Sequence, residues 1–137
     1  LLGLLWIAAI RNGADERRAV ARLRAAHPGA FVERVKLWSL ADGLVPADIP
    51  MHFIVADSEQ LRFVTADGTA LAQIPVAEIG FVDPVAAQKD KVRDKALTII
   101  YGDHEDVVQV FPDMNLGLDK LRSRVRKAIG WPADGAP

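Results

Sequence analysis

The sequence contains no cysteine, which excludes disulfide frameworks, thiolate metal sites and cysteine nucleophiles and leaves the redox compartment open. It also has almost no net charge, with 17 Lys and Arg against 18 Asp and Glu for a formal −1. A near-neutral chain releases few counterions from a phosphate backbone, so the global electrostatic case for nucleic acid falls away and only local basic patches remain. Gly-x-Gly-x-x-Gly, Walker-type and Gly-x-Ser-x-Gly motifs, internal repeats and low-complexity tracts are all missing. What is present is length and apolar content. The 137 residues, 50% of them hydrophobic, suit one domain that buries roughly two thirds of its extended surface.

The apolar run Leu1 to Ile10 carries no charge before Arg11. Ten residues cannot cross a bilayer, which needs about 20 apolar residues in a helix. The run therefore reads as a truncated transmembrane segment over 1–10, with a signal-peptide remnant or a buried apolar element of the domain as alternatives. Arg11, Arg17 and Arg18 follow at once and place the rest on the cytoplasmic side by the positive-inside bias. Asn12-Gly13 predicts a break. Ala14 to His27 then reads as a helix, with Asp15 and Glu16 in its first turn and Pro28-Gly29 as its stop. Its apolar stripe is thin, being Ala19, Val20, Leu23 and Ala26. Arg17, Arg18, Arg22 and Arg24, with Arg11 before them, make 11–30 an Arg-rich juxtamembrane segment that suits an anionic headgroup surface, at about 1 kcal/mol per arginine. A solvated linker helix is the equal alternative.

From Phe31 the pattern changes to alternation. Phe31 to Leu40 predicts a first strand, with Phe31, Val35 and Leu37 on one face and Arg34, Lys36 and Trp38 on the other. Ala41 to Pro50 has loop composition. Met51 to Val82 then holds three apolar runs separated by compact polar turns, the second of which contains Asp67-Gly68, and so predicts a β-meander with strands near 51–57, 60–65 and 70–74. Glu78 to Val85 continues it as far as Pro84, which restricts that strand to an edge or to its end. Ala86 to Lys95 mixes signs and reads as a loop or frayed edge. Leu97 to Tyr101 and Val107 to Phe111 predict a hairpin across the 102–106 turn. Pro112 to Asn115 offers a cap. Leu118, Leu121, Val125, Ala128 and Ile129 recur at helical spacing opposite Lys120, Arg122, Arg124, Arg126 and Lys127, so an amphipathic helix closes the chain at Gly130. Residues 132–137 read as a disordered tail.

About seven strands followed by one amphipathic helix, with the local text Val55-Ala56-Asp57, Leu61 to Val64, Ala66 to Gly68 and Ile74 to Val82, resembles bacterial PH-like (pleckstrin-homology, GRAM-like) domains. The resemblance covers Phe31 to Gly130, within a domain taken as 31–131. It departs at Val76, where an aromatic is commoner in the family. It implies a mainly β fold, a bent antiparallel barrel plugged at one end by the helix, and a membrane segment as a frequent companion. Phosphoinositide-binding members place basic residues in the loop after the first strand. Here that loop has none and carries Asp42 and Asp48 instead, which argues against headgroup recognition at that mouth. A lipocalin-like barrel is the rival and would want eight regular strands in a longer chain.

Chemistry-bearing clusters are few. Asp103, His104, Glu105 and Asp106 crowd one turn without the helical spacing of a metalloprotease motif, and an exposed acidic turn explains them. His27 suits a helix C-terminus, and His52 is expected on a strand's outer face. Trp38 and Tyr101 read as packing aromatics rather than stacking platforms for a ligand. No catalytic residue, metal ligand or cofactor is expected. Lys89, Lys91, Arg93 and Lys95 recur at every second residue, so an extended 88–95 would turn all of them to one side. That stripe is the candidate site for a protein partner, with edge protection as the alternative. The expectation is a non-catalytic, membrane-tethered interaction or scaffolding module facing the cytoplasm. The alternative is a module that binds anionic lipid through its Arg-rich helix, and a small enzyme or ligand-binding barrel is the distant third. The oligomeric state is open.

Overall fold

The computed structural model describes residues 2–45, 51–89, 92–113 and 116–131. The expected tail at 132–137 lies outside them. The element order is α1 (Leu2–Ala26), β1 (Phe31–Leu40), β2 (Gly43–Leu44), β3 (His52–Ala56), β4 (Gln60–Val64), β5 (Ala70–Pro75), a 3-10 turn (Val76–Glu78), β6 (Ile79–Lys89), β7 (Val92–Tyr101), β8 (Asp106–Pro112) and α2 (Leu118–Ile129). The strands form one antiparallel sheet in the order β5-β4-β3-β1-β8-β7-β6, with the short β2 paired to β1. β1 joins two meanders. One of its edges takes β3, with Val35 opposite His52, and the other takes β8, with Val35 opposite Pro112.

The sheet has two faces and each acquires a helix. Its inner face buries Val35, Leu37, Ile54, Leu61, Phe63, Ile74, Val82, Leu97, Ile99 and Val110. Leu121, Val125 and Ile129 of α2 join this core from one face of that helix, as their spacing predicts. Gly130 ends α2 in the left-handed region at φ 71°, and Trp131 N–H then donates to the Arg126 carbonyl at 2.8 Å. The outer face of β1, β3 and β4 presents Val32, Phe53, Val55 and Val64, which Ala19 and Leu23 of α1 cover. β3 is consequently buried along its whole length.

Five sequence expectations change. The sheet is not closed into a barrel, because β5 and β6 stand at its two ends with no pairing between them. Asn12-Gly13 does not break α1, which runs unbroken through 25 residues. A glycine inside a helix costs about 1 kcal/mol relative to alanine, a small penalty for so long a helix whose far end is pinned to the sheet. The truncated membrane segment is not supported. α1 is long enough, but Arg11, Asp15, Glu16, Arg17 and Arg18 interrupt its apolar text, and among the described residues no helix is long and apolar enough to cross a membrane. Of the 86–95 stretch, expected as a loop or frayed edge, 86–89 and 92–95 are paired strand, with 86–89 on the end strand of the sheet. β6 and β7 pair from Ile79 with Tyr101 out to Lys89 with Val92. Finally, the N-cap of α2 is Gly117, without a side-chain bond, rather than a residue of 112–115.

Candidate functional site

The Arg-rich helix divides into occupied and unoccupied cations. Ala19 and Leu23 are 1% and 3% exposed and fix the rotation of α1, which leaves Arg17, Arg18, Arg22 and Arg24 outward. Arg18 pairs with Asp15 at 2.7 Å, and Arg22 donates to the Ala66 carbonyl at 3.3 Å. Glu16 reaches Arg34 of β1 at 3.6 Å, and Arg34 also lies 3.5 Å from Asp113. The Arg18–Asp15 and Arg22–Ala66 contacts border a shallow cleft of about 310 Å³ lined by Asp15, Arg18, Ala19, Arg22, Met51 and Ala66. Arg17 and Arg24 are exposed on the same helix. The side chain of Arg11 lies outside the described residues.

The lysine stripe is rearranged. Lys89 pairs with Val92, Gln88 with Arg93 and Ala86 with Lys95, so the chain reverses between Lys89 and Val92. Lys89 belongs to β6 and Arg93 and Lys95 to β7, while Lys91 lies outside the described residues. Residues 88–89 and 92–95 therefore belong to two different, paired strands, with 90 and 91 outside the described residues, and the period-2 argument for a single one-sided row does not apply. The contacts that hold the hairpin are apolar rather than charged. Ala87 and Ala96 are buried at 7% and 0% beneath Phe111, and Trp38 packs on Phe111 edge to face with centroids 5.8 Å apart.

His52 is not on an outer face. It is 8% exposed, and its Nδ1 accepts the Leu37 N–H at 3.2 Å. The Val35–His52 pair is the last described one of the β1–β3 ladder, and beyond it the imidazole meets the Leu37 amide. β1 also bulges at Trp38, between Leu37 and Ser39. Nε2 is buried and has no hydrogen-bond partner among the described residues. Burial first, then the charges of Arg34 and Lys36, hold the His52 pKa below its usual value. The 102–106 turn keeps Asp103, His104 and Glu105 exposed. No group of three potential ligands converges among the described residues. Tyr101, whose Cα partner is Asp106, has its pKa raised by burial and then by Asp106, Asp42 and Glu78.

Two sets of side-chain bonds stood outside the sequence reading. The first joins α2 to the β6 edge: Arg122 Nε reaches Asp83 at 2.7 Å, and Arg126 donates to both the Val82 carbonyl (2.7 Å) and Asp83 (2.9 Å). Neither residue type at i, i+4 on a basic helix distinguishes a bound arginine from a solvated one. The second is the bonding of the Asp67 carboxylate within the β4–β5 turn. Asp67 there accepts the Thr65 hydroxyl and, at 3.1 Å, the Thr69 N–H, which lowers its pKa to about 2. At the β3–β4 turn, Asp57 similarly accepts the Gln60 and Glu59 amides, at 2.9 and 2.8 Å, and its pKa falls. No protein-family model matches the chain, and no curated protein is found to resemble it.

Proposed function

We propose that the chain is a non-catalytic PH-like interaction module, held at the cytoplasmic face of a membrane by its N-terminal helix. The observation that carries this reading is α1 itself. One unbroken helix links the apolar residues Leu2 to Ile10 to a segment locked on the sheet by Ala19 and Leu23. Whatever holds the first turns therefore holds the whole domain in a fixed attitude. The PH-like part of the reading draws support from the element order, in which strands run in meanders on both sides of β1 and a single amphipathic helix packs on the inner face.

The test is co-sedimentation with vesicles. The chain is expected to pellet with vesicles of mixed neutral and anionic lipid, and Leu4→Asp with Ile7→Asp is expected to leave it in the supernatant. Pelleting that survives both substitutions would overturn the tether. Arg17 and Arg24, exposed beyond the domain contacts, favour the second reading, adhesion to anionic lipid. In that case Arg17→Glu with Arg24→Glu lowers binding to anionic vesicles in a salt-dependent way and spares neutral ones. The Lys89, Lys91, Arg93 and Lys95 group remains a proposed contact for a protein partner, now as a hairpin end rather than a row.

A further inference from the structure

The two ends of the open sheet are treated differently. At β6, Arg126 takes the Val82 carbonyl, Arg122 and Arg126 clasp Asp83, and Pro84 interrupts the row of amides. These are devices by which natural sheets keep an edge from recruiting another strand. At β5 the arginine clasp has no counterpart among the described residues, and proline stands only at the strand's last position, Pro75, with one register irregularity opposite Phe63 and Val64. Ala70–Pro75 contains no charged residue, and among the described residues β4 is its sole paired neighbour. Alternate residues of an antiparallel edge strand point their N–H and C=O groups away from the sheet, and those of Ala70 to Ile74 meet no described partner there. Ala70 and Gln73 are exposed and Leu71 and Ala72 half-buried, so a strand laid alongside would cover apolar surface as well as satisfy backbone.

The charges at the ends of this edge have one sign. Asp67 lies in the turn that enters β5, and Glu78 in the turn that leaves it, with Glu59 beside the latter through the Val76 N–H bond to its carbonyl at 2.9 Å. All three are exposed. The nearby cations are engaged elsewhere: Arg62, opposite Gln73, lies 3.7 Å from Asp57, and Arg22 is bonded to Ala66. We infer that the β5 edge is a docking site for an extended peptide segment of a partner protein, with an uncharged, alternating middle and basic residues at both ends. The backbone supplies the attachment and the acids at the two ends supply the selection. A second copy of this chain fits less well, because antiparallel self-pairing about the middle of β5 sets Asp67 of one copy against Glu78 of the other.

This inference rests on the interaction-module reading, and vesicle co-sedimentation probes the tether separately from the edge. The experiment uses the full chain and a short synthetic peptide of alternating valine and threonine with lysines at both ends. It is compared with the same peptide ending in glutamates, and with a lysine-ended version N-methylated at alternate amides. Fluorescence anisotropy reads affinity and amide hydrogen exchange reads location. The lysine-ended peptide is expected to bind and slow exchange within Ala70 to Ile74, and the glutamate-ended one to bind at least about tenfold more weakly, equivalent to about 1.4 kcal/mol. N-methylation should abolish binding. Asp67→Asn with Glu78→Gln should narrow the difference between the two peptides while leaving the N-methyl effect intact. Equal binding of lysine and glutamate peptides, protection at β6 in place of β5, or no binding would overturn the inference. Concentration-dependent protection of β5 without peptide would assign the edge to a second copy and overturn the stated partner.

Discussion

Acidification should loosen this protein through one buried imidazole. His52 Nδ1 is the acceptor for the Leu37 amide, and it can accept only while unprotonated. In the unfolded chain His52 titrates near its ordinary value of 6.5, whereas the folded value lies lower, through burial and then Arg34 and Lys36. Between those two values the unfolded state binds a proton that the folded state refuses, so stability rises with pH across the window. The contribution is whole above pH 6.5 and is lost as pH falls toward the folded value. Substitution separates the hydrogen bond from the packing. His52→Leu fills a similar space but leaves the Leu37 N–H buried and unpaired, a cost of about 1–3 kcal/mol. His52→Asn places an amide oxygen near the Nδ1 position and should recover roughly 1 kcal/mol of that despite burying less apolar surface. Urea melts of the three proteins at a series of pH values from 7.5 downward provide the assay. The wild type should lose stability below pH 6.5, and its advantage over His52→Asn, whose amide does not titrate, should shrink as the imidazole is protonated. A His52→Leu protein as stable as the wild type at neutral pH, or a wild-type stability flat through the window, would refute the reasoning.

Val125 is fully buried and Lys127 exposed on the same helix, so Val125→Asp should cost several kcal/mol and Lys127→Glu almost nothing in thermal melts. Leu23→Ala should cost about 2–4 kcal/mol and raise protease sensitivity around α1 before the sheet unfolds, since among the described residues Leu23 is the largest buried side chain of α1 in the cluster with Phe53 and Val55. Gly130→Ala should cost about 1 kcal/mol by forcing a Cβ into the left-handed region. Asp83→Asn should cost under about 1 kcal/mol, because Asp83 is 40% exposed, and the loss should shrink in high salt.

Much of the fold was legible because one face of each element is covered. β1 was bounded correctly by its alternation, and α2 by its 3.6-residue recurrence. Asp67-Gly68 marked the β4–β5 turn, where Gly68 takes φ 90°. The β6–β7 hairpin escaped notice because its stabilising contacts are Ala87 and Ala96 under Phe111, and small residues between charges give no periodic hydrophobic signal. His52 was misplaced by assuming that β3 has a wet side. The uniform apolar text Phe53 to Ala56 was the available sign that both faces are covered, one by the core and one by α1. The surfaces offered for binding were the least legible. A row of cations at period two implies one side only if the chain does not turn, and an edge strand is defined by what fails to pair with it, which no local pattern encodes.

The position of β1 between the two meanders sets an order of events in folding. β3–β4–β5 and β6–β7–β8 each form from neighbouring strands and short turns, so their pairings are local in sequence. The Val35–Pro112 pairing instead closes a loop of about 75 residues, whose length-dependent entropic cost is about 4 kcal/mol. Nearly all of the chain must be collected before that ladder forms, which makes the β1–β8 seam the slow step and the last to gain exchange protection. A disulfide introduced across that seam would act mainly on the refolding rate, whereas one introduced across the β6–β7 hairpin would leave the rate almost unchanged.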